Sequence, residues 1–84
     1  MKNGSKHLKR GTNNAEFYSY GERISFLHND TVYVSKGFYS QTTTRHCNKV
    51  YRYFKEETSF KVEQVEHEKF LEIEKQWKVD RRII

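Results

Sequence analysis

Polar and apolar side chains alternate along much of the N-terminal two thirds of the chain, which is the pattern of β-strands. The clearest example is a pair of segments, Glu22–His28 and Thr31–Lys36, joined by an Asn-Asp pair. Asn and Asp tolerate positive φ angles, so the pair suits a two-residue hairpin turn. The pattern predicts a β-hairpin whose first strand carries Ile24 and Phe26 on one face.

Shorter segments around this hairpin have weaker strand patterns. Ala15–Tyr20 predicts a short strand that ends at Gly21. Phe38–Thr43 is a further candidate strand, and the polar run Gln41–Asn48 predicts a loop, although its threonines also fit a strand edge.

Lys49–Lys55 alternates apolar, aromatic and cationic side chains with a period of two. The period predicts a strand with a cation on each face, which is unusual for a core strand. Its two faces would carry Val50, Arg52 and Phe54 on one side and Tyr51, Tyr53 and Lys55 on the other.

From about Gln64 the apolar period changes to that of a helix. The predicted helix spans Val62–Val79, with Trp77 as its anchor to the sheet. Alternatively, residues 60–62 finish a strand before the helix begins. The predicted fold is α+β, a small antiparallel sheet of three to five short strands with one C-terminal helix packed on a face. The apolar helical stripe contains Val62, Val65, Phe70, Ile73 and Trp77.

Residues 1–14 have a different composition, with four cations and two glycines around one aliphatic residue, Leu8. Such a segment buries too little apolar surface to offset the entropy of ordering. We therefore predict a flexible basic arm at 1–14 and a single α+β domain at 15–84.

The distribution of charge along the chain indicates the kind of partner that the protein binds. The chain has 84 residues, a net charge of +5 and a pI near 9.4. Residues 1–55 carry ten Lys and Arg against three Asp and Glu, whereas residues 56–84 carry six against eight. A basic N-terminal part favours an anionic partner, of which nucleic acid is the commonest.

The compartment is inferred from two features. The single cysteine, Cys47, excludes an internal disulfide and favours a reducing compartment. The longest apolar run is three residues, so neither a transmembrane helix nor a signal-peptide core is expected. These features predict a cytoplasmic protein without a membrane partner, and a homodimer would add stability to so small a domain.

Motifs for cofactor or metal chemistry are absent from the sequence. The four histidines and Cys47 show no ligand-pair spacing, and there is no P-loop, Rossmann or GxSxG pattern. We therefore expect no metal, no cofactor and no enzyme activity. One alternative is a small metal-independent ribonuclease, in which His46 would act as acid or base beside Arg45, Arg52 and Tyr53.

Tyrosines interleaved with cations suit stacked bases and phosphates, which favours RNA or single strands. We expect Tyr51 and Tyr53 to stack on bases. The predicted phosphate contacts are Arg45, Lys49, Arg52 and Lys55, with a second contact from Lys6, Lys9 and Arg10 in the arm.

In size and composition the chain resembles the small early proteins that bacteriophages use to take over or disarm a host. The resemblance is carried by the short chain, the absence of proline, the single cysteine and the many Lys, Glu, Tyr and Phe residues. It implies a non-enzymatic, counter-defence inhibitor of a host nucleic-acid enzyme, such as a ribonuclease toxin, in the manner of an antitoxin. Some proteins of that kind bind RNA together with the enzyme they block. An alternative interpretation of the charge is a direct inhibitor that docks its basic face on an acidic enzyme surface.

Overall fold

A computed structural model describes residues 8–11, 15–37 and 41–81, with the side chain of residue 81 left aside. This part of the chain forms an α+β fold of five strands and two helices, which confirms the predicted class. In chain order the elements are β1 (Leu8–Arg10), β2 (Phe17–Ser19), β3 (Glu22–His28), β4 (Thr31–Ser35), α1 (Gln41–Glu57), β5 (Lys61–Val65) and α2 (His67–Arg81).

The strands form one sheet in the order β1-β2-β3-β4-β5. The first four strands are an antiparallel meander. β5 pairs parallel to β4, because α1 carries the chain back across the sheet between them. The all-antiparallel sheet expected from the sequence is therefore wrong at this last strand.

The hairpin between β3 and β4 is confirmed, and residues 29 and 30 form its turn with φ angles of 52° and 66°. Two positive φ angles define the turn type that matches the twist of the flanking strands. β2 and β3 are joined in the same way through Tyr20 and Gly21, with φ angles of 53° and 83°. The predicted strand Ala15–Tyr20 is thus confirmed only over Phe17–Ser19, and the predicted break at Gly21 falls in the turn.

The two helices cover opposite faces of the sheet. Val32 and Val34 of β4 pack in one buried cluster with Val50 and Phe54 of α1. Tyr33, which lies between the two valines, packs in the second cluster with α2. Neighbouring side chains on a strand point to opposite faces, so the domain has three layers: α1, the sheet and α2.

A bulge in β3 changes which side chains face each helix. Between two neighbouring positions of β2, the partner on β3 changes from Ser25 to Arg23 and skips Ile24. Ile24 packs on the α1 side, whereas Phe26 packs on the α2 side. Arg23 also points to α2, where its Nη1 lies 2.6 Å from Glu74 Oε2. The prediction that Ile24 and Phe26 share a face is wrong, because the extra residue shifts the alternation.

The largest difference from the sequence prediction is α1. Gln41–Asn48, predicted as a loop, and Lys49–Lys55, predicted as a strand, form one continuous helix. The candidate strand Phe38–Thr43 falls partly outside the described residues, and its last three residues belong to the helix. Buried side chains recur along α1 every three or four residues, which is helical spacing; they are Thr43, His46, Cys47, Val50 and Phe54.

At the C-terminus, residues 61–65 form β5 and the helix begins only at His67. Val62 and Val65 therefore belong to the sheet and not to the helical stripe, so the alternative of a strand before the helix is the better description. The predicted anchor is confirmed: Trp77 is buried, and its ring stacks on Phe26 at a centroid distance of 4.8 Å.

The N-terminal residues that are described do not form an arm. Leu8–Arg10 form the edge strand β1, in which Leu8 pairs with Ser19. Residues 1–7 and 12–14 of the predicted arm, Lys6 among them, lie outside the described residues. In the described part of the chain neither helix has the length and apolar character needed to cross a membrane.

Candidate nucleic-acid interface

The outer side of α1 carries three exposed cations, Arg45, Lys49 and Arg52. They stand at positions i, i+4 and i+7, so a helix brings them onto one face within about 10 Å along its axis. We call this surface the cationic face of α1. A strand would have placed Arg52 on the same side as the buried Val50 and Phe54. The helix instead places Arg52 beside Arg45 and Lys49.

The same helix separates the two tyrosines. Two residues correspond to about 200° around a helix, so Tyr51 and Tyr53 lie on opposite flanks of α1. Tyr53 packs toward β2, with its ring edge-on to Phe17 at 6.0 Å. Tyr51 is half-buried on the other flank, with Lys55 Nζ 5.6 Å from its ring centroid. The common face that a strand would have given to Tyr51, Tyr53 and Lys55 therefore does not form.

The edge strand β1 adds a further cation beside Tyr53. Arg10 is exposed, and its guanidinium carbon lies 5.2 Å from the ring centroid of Phe17 and 5.7 Å from that of Tyr53. Its Nη2 donates a hydrogen bond of 3.1 Å to the Tyr53 hydroxyl. Lys9 is also exposed on β1. Two of the predicted arm cations thus lie on a strand that borders α1.

Between β1 and α1 lies a groove of about 240 Å³. Its lining combines apolar side chains, the Tyr53 side chain and two exposed cations. The lining residues are Leu8, Arg10, Phe17, Lys49, Val50 and Tyr53. Lys49 belongs both to the groove and to the cationic face of α1. Sequence reasoning missed the groove because β1 was taken as part of an arm, although the lone Leu8 among polar residues marks the strand.

Residues 2–71 match the family described as "Family of unknown function (DUF8033)". The chain belongs to DUF8033. The matched segment includes the whole sheet, α1 and every residue that lines the groove, and it ends within α2. No curated protein and no solved structure matches the chain.

The ribonuclease site considered for this DUF8033 chain does not assemble. His46 is only 4% exposed, its Nδ1 lies 2.6 Å from the Ser19 hydroxyl, and its ring stacks on Tyr20 at 5.9 Å. Arg45 and Arg52 point outward from the same helix. A general acid or base must reach the reacting group, and the buried His46 does not share an exposed surface with the two arginines.

Metal-ligating side chains are also scattered. In ranges 8–11, 15–37 and 41–81, no three or more His, Cys, Asp or Glu residues form a group that could hold a metal ion. Cys47 is a free, fully buried thiol in the core beneath α1.

Burial raises the pKa of the Cys47 thiol from 9.0 to about 11, and a hydrogen bond with Ser35 opposes part of that shift. The folded protein therefore keeps this proton at pH values where the unfolded chain releases it. The resulting stability is complete below pH 9 and is lost as the pH rises toward 11.

We expect the wild-type free energy of unfolding to fall by about 2–3 kcal/mol more than that of Cys47→Ala between pH 8 and pH 11. Tyrosine and lysine titration is common to both proteins and cancels in the comparison. Urea titrations followed by far-UV circular dichroism measure the difference. Parallel pH profiles for the two proteins would show that the thiol is accessible to solvent.

Proposed function

We propose that this chain binds nucleic acid through the cationic face of α1, and that it prefers RNA or single strands. The observation that carries the proposal is the row of Arg45, Lys49 and Arg52 on successive turns of one exposed helix face. Such a row presents positive charge along a line, as a phosphate backbone presents negative charge.

Two features support this location over a general effect of net charge. The other helix, α2, contains four basic and four acidic residues, so the opposite face of the domain has no comparable excess. The cation Arg23 on that side is paired with Glu74. An aromatic ring beside the cationic face, Tyr53, supports the preference for unpaired bases.

The test is a salt titration of the wild-type protein with a labelled single-stranded RNA of about 12 nucleotides. Three phosphate contacts give a log–log slope of about −2 on a single strand. We therefore expect fluorescence anisotropy to show affinity falling by about 20-fold between 50 mM and 200 mM salt. No binding at 50 mM salt, or an affinity that salt does not change, would contradict the proposal.

The cytoplasm is the proposed location, because Cys47 is free and buried in a fold that needs no disulfide. Inhibition of a host nucleic-acid enzyme, such as a ribonuclease toxin, remains a prediction from composition. The cationic face of α1 would also suit an acidic enzyme surface that normally holds nucleic acid. A stoichiometric protein partner that stays bound after nuclease treatment would favour direct inhibition over RNA binding.

A further inference from the structure

We infer that the groove between β1 and α1 holds one unpaired nucleobase of a bound single strand, so that the protein binds a base as well as the phosphate backbone. The inference rests on the proposed function and adds a second kind of contact to it. Phosphate contacts on α1 give affinity to any strand, whereas a base site requires that the base be unstacked.

The apolar and aromatic part of the lining suits the faces of a nucleobase. The faces of a nucleobase are apolar and stack on aromatic rings. The lining includes the apolar side chains of Leu8, Phe17 and Val50 and the aromatic side chain of Tyr53. Its volume of about 240 Å³ and its open mouth suit one small planar group.

The charge of the lining favours an anionic ligand. Arg10 and Lys49 are the charged residues of the lining, and both are positive. A ligand that is flat and apolar at its centre and negative at its edge is a nucleotide. A purely phosphate ligand would leave the apolar part of the lining uncovered, whereas a nucleotide contacts both parts of the lining.

The groove also continues the surface already described, because Lys49 stands on both. A strand whose phosphates follow Arg45, Lys49 and Arg52 passes the mouth of the groove at Lys49. Arg10 lies against the Tyr53 ring, so a base that stacks there takes the place of the guanidinium. Arg10 is exposed, so its guanidinium stays in solvent when a base takes its place, and the number of phosphate contacts does not change.

The first experiment uses the wild-type protein and two ligands of equal length and charge, oligouridylate and a fully abasic phosphate backbone. We expect the abasic strand to bind at least about fivefold more weakly, while the salt slopes of the two remain equal. Equal affinities would overturn the base site and leave the proposed function standing. Failure of both ligands to bind at low salt would overturn the proposed function itself.

The second experiment compares two substitutions on α1. Tyr53→Leu removes the ring but keeps an apolar side chain, and Arg52→Gln removes only a charge. We expect Tyr53→Leu to lower the affinity for oligouridylate to that of the abasic strand without changing abasic binding. Arg52→Gln should lower both affinities by the same factor. Equal losses on both ligands for Tyr53→Leu would overturn the base site. If that variant does not fold, the comparison of oligouridylate with the abasic strand on the wild-type protein decides.

Discussion

Phe26→Ala is expected to lower the free energy of unfolding by about 3–5 kcal/mol, the usual cost of removing a fully buried phenyl ring. Phe26 is 0% exposed and lies where β3, β4 and α2 meet. Its ring centroid is 4.8 Å from that of Trp77, 5.0 Å from that of Phe70 and 6.0 Å from that of Tyr33. The substitution therefore leaves a cavity surrounded by three rings that belong to two different elements.

The cost is large compared with the stability of so small a domain. At the usual stability per residue, 84 residues correspond to about 4–13 kcal/mol in total. Because Phe70 and Trp77 are the buried apolar residues of α2 in the described chain, the loss should fall on the attachment of that helix to the sheet. Urea unfolding followed by far-UV circular dichroism measures both the loss of stability and the loss of helix.

The matched control is Phe60→Ala, the same chemical change at a ring that is 38% exposed in the turn between α1 and β5. Among the described residues, the Phe60 ring contacts that of Phe54, edge-on at a centroid distance of 6.1 Å. We expect this variant to lose about 1 kcal/mol. A Phe26→Ala protein as stable as Phe60→Ala would mean that α2 is not held through the aromatic cluster.

The sequence predicts those parts of the fold in which local chemistry and burial agree. The turn at Asn29-Asp30 is determined by two residues that accept positive φ, and the strands beside it alternate in the expected way. Trp77 was predicted correctly as the anchor of the C-terminal helix because it is a large apolar side chain, and it is buried as expected. Both features depend on neighbours in sequence or on one large apolar side chain.

The strand predicted at Lys49–Lys55 failed because two periods coincide there. Val50 and Phe54 are four residues apart, a spacing that fits a helix as well as a strand. The helical signal lies upstream, where the buried Thr43 and Cys47 continue the same spacing. Those residues are small or polar and stand in a threonine-rich run of low helix propensity, so the pattern favoured a loop. Packing on the sheet outweighs that propensity.

The bulge at Ile24 and the parallel pairing of β5 have no comparable local signal. A bulge depends on how two strands align, and parallel pairing depends on the path of α1 across the sheet. The groove needs both β1 and α1 in place, so it could not be predicted once either was misassigned. The sequence showed that Arg45, Lys49 and Arg52 lie close together along the chain, but only the helix places them on one face.

Replacing Arg45, Lys49 and Arg52 together by glutamine is expected to weaken RNA binding by about 100-fold at 0.1 M salt. Each lost phosphate contact on a single strand lowers the log–log slope by about 0.7, and three of them lower it by about 2. Glutamine has nearly the helix propensity of arginine and lysine, and the three side chains are exposed, so α1 should stay folded. Anisotropy titrations from 0.05 M to 0.3 M salt give both the affinity and the slope.

The matched control moves the same loss of charge to the other face of the domain. Lys69, Lys75 and Lys78 are exposed on α2, and their replacement by glutamine also removes three positive charges. Long-range attraction should weaken slightly in this control, but the slope should stay near that of the wild type, because no phosphate contact is lost. Equal losses in the two triple variants would mean that net charge alone attracts RNA. A loss confined to the α1 variant would place the phosphates on one face of one helix, beside the groove that Lys49 borders.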